Sequence, residues 1–187
     1  MDRRTLIKAL AAAPFAALAG HAHAQPAARK GASVEDLQND WKTFLAPGTA
    51  VPAATEKLEL PKAEWKKRLD AAQYDVLRDE GTERAGTSPL NNEKRPGVFA
   101  CAGCGLPLFT SAMKYDSGTG WPSFFTTIPG AFGTSRDFKL ILPRTEYHCS
   151  RCGGHHGHIF DDGPAPTGKR YCNNGVALKF IPKAGKA

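Results

Sequence analysis

Five cysteines and six histidines hold most of the chemistry legible in this 187-residue chain. Four of the cysteines form two pairs, Cys101–Cys104 in CAGC and Cys149–Cys152 in CSRC, while Cys172 stands alone in GKRYCNNG. A C-x-x-C turn places two thiols on one tight bend, the spacing that grips a tetrahedral zinc ion. Glycines follow each pair (Gly105; Gly153 and Gly154) and let backbone N–H groups turn toward the sulfurs. Residues 105–148 separate the pairs, longer than the usual ribbon gap of roughly 15–20 residues, so several strands are expected between the two knuckles. Two disulfides or a redox-active C-x-x-C are competing uses of the same thiols. Four thiolates would close the coordination shell and leave no place for water. The expected metal is therefore one structural zinc per chain, and a zinc-hydrolase reading fails.

Three polar and aromatic islands set among glycines surround the question of Cys172: DSGTGWPSF (116–124), HHGHIFDDGP (155–164) and KRYCNN (169–174). Singly each has an ordinary account. Trp121 alone reads as core, a histidine beside glycine as a hydrogen-bonded surface group, and a lone cysteine as inert packing. Together they describe a chemistry. Arg170, two positions from Cys172, or an imidazolium, could supply positive charge to hold a thiolate. His155 and His158 could donate protons to a leaving oxygen, and Trp121 offers an apolar wall to an uncharged group. A nucleophilic cysteine with separate histidine donors and an aromatic wall fits sulfur chemistry or acyl transfer.

The elements that must position these groups change character along the chain. Residues 1–24 read as a processed export signal. Arg3, Arg4 and Lys8 form a charged head, an alanine-rich apolar run follows, and Ala22-His23-Ala24 makes an A-x-A cleavage pattern. DRRTLIK resembles the twin-arginine motif, which implies export of an already folded chain. Residues 25–60 form an N-terminal extension with one helix, opened by Ser33 and Asp36 as a capping box and carrying Val34, Leu37, Trp41, Phe44 and Leu45 on one face. A Pro/Gly/Ala-rich connection, 46–55, leads to a second helical stretch opened by Pro61, where Asp70 and Gln73 mark a fresh N-cap and Gly81 an end. From Arg84 onward GVFA, LPLFT, DFKLILP, TEYH and VALKF read as short antiparallel strands.

The ordered set CAGCGLPLF, SG-x-GWPSF, CxxCGxHxGHxFDDGP and RYC-x-N resembles the B-type methionine-R-sulfoxide reductases, over about Ala63 to Pro182. WKKRLDAAQYDVLRDEGTER is similar to that family's N-terminal helices. The resemblance makes residues 61–187 the reductase domain and implies a mainly β fold, two antiparallel sheets around the site with helices at the N-terminus. It implies that Cys172 attacks the sulfoxide sulfur and becomes a sulfenic acid, the methionine being repaired. His155 and His158 would order and protonate the sulfoxide oxygen, with Asn174 hydrogen-bonded in the same network. Trp121 would wall the substrate methyl group, with Phe124 and Arg170 also at the substrate. Cys101, Cys104, Cys149 and Cys152 would hold the structural zinc that many members carry.

One position departs from the family. Many members read SGCGWPSF, whose cysteine resolves the sulfenic acid as a disulfide, whereas this chain has Thr119 there. A hydroxyl cannot attack a sulfenic sulfur as a thiolate does, so the expected reductant is external, a thioredoxin-like protein or a small thiol. A labile zinc cysteine acting as resolver is the alternative. The substrate would be oxidised protein or free methionine sulfoxide, and the location the periplasm.

The formal charge of +7 is spread along the chain, and removing residues 1–24 takes three basic and one acidic residue away. With no basic stripe, nucleic acid is not an expected partner. No run of 18 apolar residues is present, so no stable membrane insertion is expected after processing. A non-catalytic zinc-knuckle binding module is the other class of function, and it leaves HxGH, GWPSF and RYCxN without a role.

Overall fold

A computed structural model describes residues 32–139 and 142–183 of the chain. The export signal read at 1–24, and most of the lead after it, lie outside the described residues.

The helices form where local capping dictates. α1 (Val34–Asn39) starts at Ser33, whose hydroxyl accepts from the Asp36 N–H while the Asp36 carboxylate accepts from the Ser33 N–H. The single amphipathic helix expected to reach Leu45 instead tightens at Asp40 into a 3-10 turn, Asp40–Phe44. This leaves Leu37 and Leu45 buried and Trp41 and Phe44 only half-buried. α2 (Lys62–Arg68) and α3 (Ala71–Asp79) are separate helices, and Asp70 caps the second through a reciprocal pair of bonds with Gln73. Glu80, not Gly81, takes the left-handed position after α3, and the Gly81 N–H closes back on the Asp75 carbonyl at 3.0 Å.

Among the described residues nine strands follow: β1 (Gly97–Cys101), β2 (Pro107–Thr110), β3 (Lys114–Tyr115), β4 (Ser123–Phe124), β5 (Phe132–Asp137), β6 (Arg144–Cys149), β7 (His155–Phe160), β8 (Arg170–Asn173) and β9 (Leu178–Pro182). They make two antiparallel sheets, one ordered β2-β1-β9 and the other β3-β4-β8-β7-β6-β5. Of the described residues of DFKLILP, only Asp137 belongs to a strand. β5 ends at Asp137, and Phe138 and Leu142 are 69% and 77% exposed in the connection to β6.

The core lies between the sheets and under α2 and α3. Phe109 stacks on Phe124 with ring centroids 3.9 Å apart, and Phe99 and Phe132 pack edge-on or tilted around this pair. Tyr147, Met113 and Leu108 complete it without solvent exposure. Strand alternation then leaves the opposite face of the six-stranded sheet for chemistry.

Candidate active site and metal centre

Residues directly opposite in antiparallel strands project to the same face. The registers therefore place Ser135, Glu146, His158, Cys172, Ser123 and Tyr115 in one row across all six strands, from β5 to β3. Cys172 sits mid-row, with His158 on one side and Ser123 on the other. The alternate residues Tyr147, Tyr171, Asn173 and Phe124 face the core.

A β-bulge brings the second histidine onto this face. Tyr147 pairs with Gly157 but His148 pairs with His155, so His156 is the extra residue and parity flips across it. Strict alternation would have sent His155 inward. The bulge instead turns His155 to the row and sends His156 into the core against Phe132 and Tyr147. Gly157, beside it, tolerates nothing larger, because a Cβ there would lie 2.0 Å from the Cys172 carbonyl oxygen.

Each site histidine is held by a carboxylate: His158 Nε2 lies 2.7 Å from Asp137 Oδ2, and His155 Nδ1 lies 2.7 Å from Glu146 Oε1. The backbone N–H of Lys139, with help from His158 and Arg144, holds the Asp137 carboxyl well below the ordinary carboxylate range. Burial works to raise Glu146, but bonds from His155 and Ser135 outweigh it and lower it. Ionised carboxylates only accept, so Nε2 of His158 and Nδ1 of His155 carry hydrogens. Burial holds His158 below its ordinary value; Asp137 works to raise it, and Arg144 joins burial in lowering it. At neutral pH His158 is thus a neutral imidazole with Nδ1 a bare lone pair. The two rings lie 5.5 Å apart, His155 being almost fully buried.

Cys172, His158 and Trp121 line a cleft of about 130 Å³, with Arg144, Phe160 and Asn174. Burial pushes the Cys172 thiol above its ordinary value, and Arg170 and Thr119 pull it down without overcoming that. The guanidinium expected to hold a thiolate is instead committed, through Nε and Nη2, to both Asp162 carboxylate oxygens at 2.8 Å each. Cys172 therefore rests as a thiol.

Two further expectations are corrected. The Asn174 side chain does not hydrogen-bond to Cys172 or the histidine rings. It accepts from the Glu83 N–H at 3.0 Å and donates to the His156 carbonyl at 3.0 Å, holding the chain after Cys172. Phe124 cannot reach a substrate, since it is fully buried on the core side of β4, opposite in sense to Ser123. Phe160 is the phenyl ring that lines the cleft.

The remaining cysteines gather where the two sheets meet. Cys101 ends β1 of the smaller sheet, Cys149 ends β6 of the larger, and all four sulfurs lie within 4.8 Å of one another. The separations are 3.7 Å for Cys101–Cys152 and 3.5 Å for Cys104–Cys149. A disulfide needs about 2.04 Å. Zn–S bonds of about 2.3 Å in a tetrahedron set sulfurs about 3.8 Å apart, and the cluster fits that figure. The knuckles are built alike. Gly105 N–H donates to the Cys101 carbonyl and Gly153 N–H to the Cys149 carbonyl, both at 2.8 Å, so these amides close the turns rather than meet the sulfurs. Arg78 donates to the Cys152 carbonyl at 2.8 Å and Arg151 to the Cys104 carbonyl at 3.0 Å, bringing positive charge to the four-cysteine cluster.

The SelR domain family pattern matches residues 69–182. The chain belongs to the SelR family. The SelR chain is 52% identical over 126 residues to peptide methionine sulfoxide reductase B1, chloroplastic, of Arabidopsis thaliana, covering 67% of this chain and 62% of that relative. It is 50% identical over 128 residues to peptide methionine sulfoxide reductase MsrB of Methanosarcina barkeri, covering 68% of this chain and 90% of the relative. Against the protein of that name from Pseudomonas putida the identity is 48% over 131 residues, 70% of this chain and 98% of the relative.

The SelR site also contains residues that sequence reasoning did not single out. Glu146 and Asp137 orient the histidines, Arg144 stands 2.5 Å from Asp137, and Glu83 ties Trp121 to the segment after Cys172. Glu83 lay inside the DEGTER string of the helical resemblance, and Asp137 and Glu146 lay inside DFKLILP and TEYH, read there only as strands. The carboxylates that serve His155 and His158 come from β6 and the end of β5, and nothing local to HHGH points to them.

Proposed function

We propose that this SelR domain reduces methionine R-sulfoxide, in proteins or free, to methionine through Cys172. The observation that carries the reading is the sheet row in which Cys172 adjoins His158, itself tethered to Asp137, with Trp121 across the cleft. The printed names of the relatives support the same substrate class, and the R epimer follows from the family resemblance.

The protonation states fit the balance of the reaction. Cys172–S–H and the sulfoxide R₂S=O become Cys172–S–OH and R₂S, so the thiol proton ends on the transferred oxygen. Sulfur forms its bond to oxygen as the substrate's S–O bond breaks; the cysteine is oxidised and the sulfoxide reduced. A resting thiol beside a neutral imidazole meets this need: His158 takes the sulfur's proton as attack begins and returns it to the oxygen. His155 and Glu146 fix the neighbouring ring. Trp121 gives the methyl group an apolar wall.

Resolution is assigned to an external thiol. The other four cysteines sit together in one cluster, and Thr119 has no thiol to offer. A first thiol R–SH would convert Cys172–S–OH to Cys172–S–S–R and water, and a second would release Cys172–SH and RS–SR. Cys101, Cys104, Cys149 and Cys152 would hold one zinc with a closed shell, which joins the two sheets. With residues 1–24 read as a twin-arginine signal, the enzyme works in the periplasm, and a thioredoxin-like protein or small thiol maintained there is its reductant.

Turnover of methionine sulfoxide with dithiothreitol tests the activity. Wild type is expected to reduce the R epimer and Cys172→Ser to be inactive; equal behaviour would leave a zinc-knuckle binding module as the better reading. Oxidation without reductant should add one oxygen to Cys172, whereas loss of two hydrogens with zinc release would assign resolution to a metal cysteine.

A further inference from the structure

The face of the larger sheet that holds Cys172 carries a second row of residues. Asp137 lies opposite Arg144 and Phe160 opposite Arg170, each two residues along its strand from Ser135, Glu146, His158 and Cys172 of the first row. Two residues of strand span about 6.8 Å. Arg144 and Phe160 line the cleft together with Cys172, His158 and Trp121. The first row brings the groups that act on sulfur and oxygen. The second lies where the rest of a bound residue would extend.

Arg144 is the cation of this lining. Its Nη2 donates to Asp137 Oδ2 at 2.5 Å, the same oxygen that holds His158. Among the described residues Nη1 has no partner, and it is not one of the buried polar atoms, so its N–H groups are open to a ligand. The amides of the lining are already spent. Asn174 bridges Glu83 and the His156 carbonyl, and Asn173 accepts from Tyr147 and donates to the Asn174 carbonyl. His158 has given its Nε2 hydrogen to Asp137 and keeps only a lone pair. Arg144 is thus left as the charged donor facing the cleft.

A methionine sulfoxide residue offers such a donor two kinds of oxygen. The sulfoxide oxygen belongs beside Cys172 and His158, in the first row. The main-chain carbonyl carbon lies four bonds from the sulfur, about 5 Å along an extended side chain, which is close to the spacing of the two rows. We propose that Arg144 is a substrate-binding residue whose free N–H groups take the main-chain oxygen of the sulfoxide residue, with the side chain laid along Phe160 and its sulfur at Cys172. This rests on the reductase reading. The oxygen belongs to a peptide carbonyl in an oxidised protein or to the carboxylate of free methionine sulfoxide. Asp137 already balances the guanidinium charge, which suits the neutral carbonyl, and among the described residues no carboxylate lines the cleft to meet a free α-ammonium.

The test measures dissociation constants by NMR titration of the zinc-loaded full chain carrying Cys172→Ser, in which the ligand is not consumed. The ligands are the R epimers of N-acetylmethionine sulfoxide N-methylamide, free methionine sulfoxide and methyl propyl sulfoxide, the last having no main-chain oxygen. The amide is expected to bind more tightly than methyl propyl sulfoxide. Adding Arg144→Met should shrink that preference about tenfold, the loss of one hydrogen bond from a charged donor. A loss seen with the amide names polypeptide as the source of the oxygen, and a loss confined to free methionine sulfoxide names the free amino acid. If both preferences over methyl propyl sulfoxide survive Arg144→Met, the proposal is wrong and Arg144 acts only through Asp137. Should Arg144→Met not fold, Arg144→Lys decides in the same way, because an ammonium engaged by Asp137 has no planar edge for a second acceptor. Wild-type turnover is measured separately. Its absence would sink the reductase reading while these affinities still judged Arg144.

Discussion

The indole N–H of Trp121 donates to the backbone carbonyl of Glu83 at 3.1 Å, and Glu83 does more than receive it. Its own N–H goes to the Asn174 side chain, and its two carboxylate oxygens accept from the N–H groups of Gly175 and Val176, at 2.5 and 3.0 Å. The wall of the cleft and the segment that follows Cys172 are therefore fastened to one residue outside either strand.

Glu83→Ala should leave two backbone donors without partners and cost about 1–3 kcal/mol of stability. Thermal unfolding is expected to move down, and sulfoxide turnover to fall further than stability alone predicts, because Asn174 and Trp121 loosen together. Glu83→Gln retains one acceptor oxygen and should recover part of both. Turnover unchanged in Glu83→Ala would show that the cleft wall is held some other way.

The acid limb of activity should report His158. Its folded value is held below 6.5, chiefly by burial, so the neutral ring persists at pH 6.5 and is lost only at lower pH. Asp137 raises that value and Arg144 lowers it. Asp137→Asn should thus move the limb to lower pH while cutting turnover on the order of 10–100-fold through misorientation of the ring. Arg144→Met should move the limb upward. A pH–rate profile of each variant distinguishes them by sign, and shifts in the same direction would exclude His158 as the titrating group.

Metal removal should act on the fold first. The four cysteines join the tips of the β1–β2 and β6–β7 hairpins, one from each sheet, and β7 begins three residues after Cys152. Chelator treatment should release one zinc per chain, lower the unfolding temperature and abolish turnover by freeing the turn that leads into the bulge. Arg78→Ala and Arg151→Ala, which remove donors to knuckle carbonyls, are expected to weaken zinc retention by about 10–100-fold in a chelator competition. A chain that unfolds at the same temperature with and without zinc would show that packing alone joins the sheets.

His156 should make stability depend on pH. Burial pushes it down to about 3, and neither ring nitrogen has a hydrogen-bond partner. The unfolded chain binds a proton there below about 6.5 and the folded chain does not, so stability is lost as pH falls from 6.5. Between pH 7 and pH 5 the loss from this group should be about 2 kcal/mol. Denaturant unfolding of the zinc-loaded protein measures it. His156→Phe should flatten the dependence, and an identical slope in that variant would assign it to other groups.

Local signals were read well because their partners are near in sequence. Ser33 with Asp36 and Asp70 with Gln73 each close within three residues, and each C-x-x-C turn closes on its own glycine. Cys172, His158 and Trp121 stood out through residue type, and the sheet does bring them to one cleft. What failed was non-local. Phe124 follows Trp121 closely, but pleating sends it to the core. DFKLILP looks like a strand because it is apolar, whereas β5 is an edge strand of largely polar composition that takes its register from β6. The carboxylates Asp137 and Glu146 lie 21 and 9 residues from the histidines they orient. His155 reaches the site only through a bulge that shares no motif with its neighbours.

The order of the larger sheet has a bearing on time as well as space. β8 enters the slot between β7, the strand just before it, and β4, far earlier in the chain. The β4–β8 pairing closes the long loop and forms late. Until β8 docks, the cysteine has neither His158 nor Ser123 beside it, and is an ordinary thiol. Reactivity toward sulfoxides should therefore switch on in a single step during folding, together with the last strand pairing, and alkylation of Cys172 in refolding chains would serve as a clock for that event.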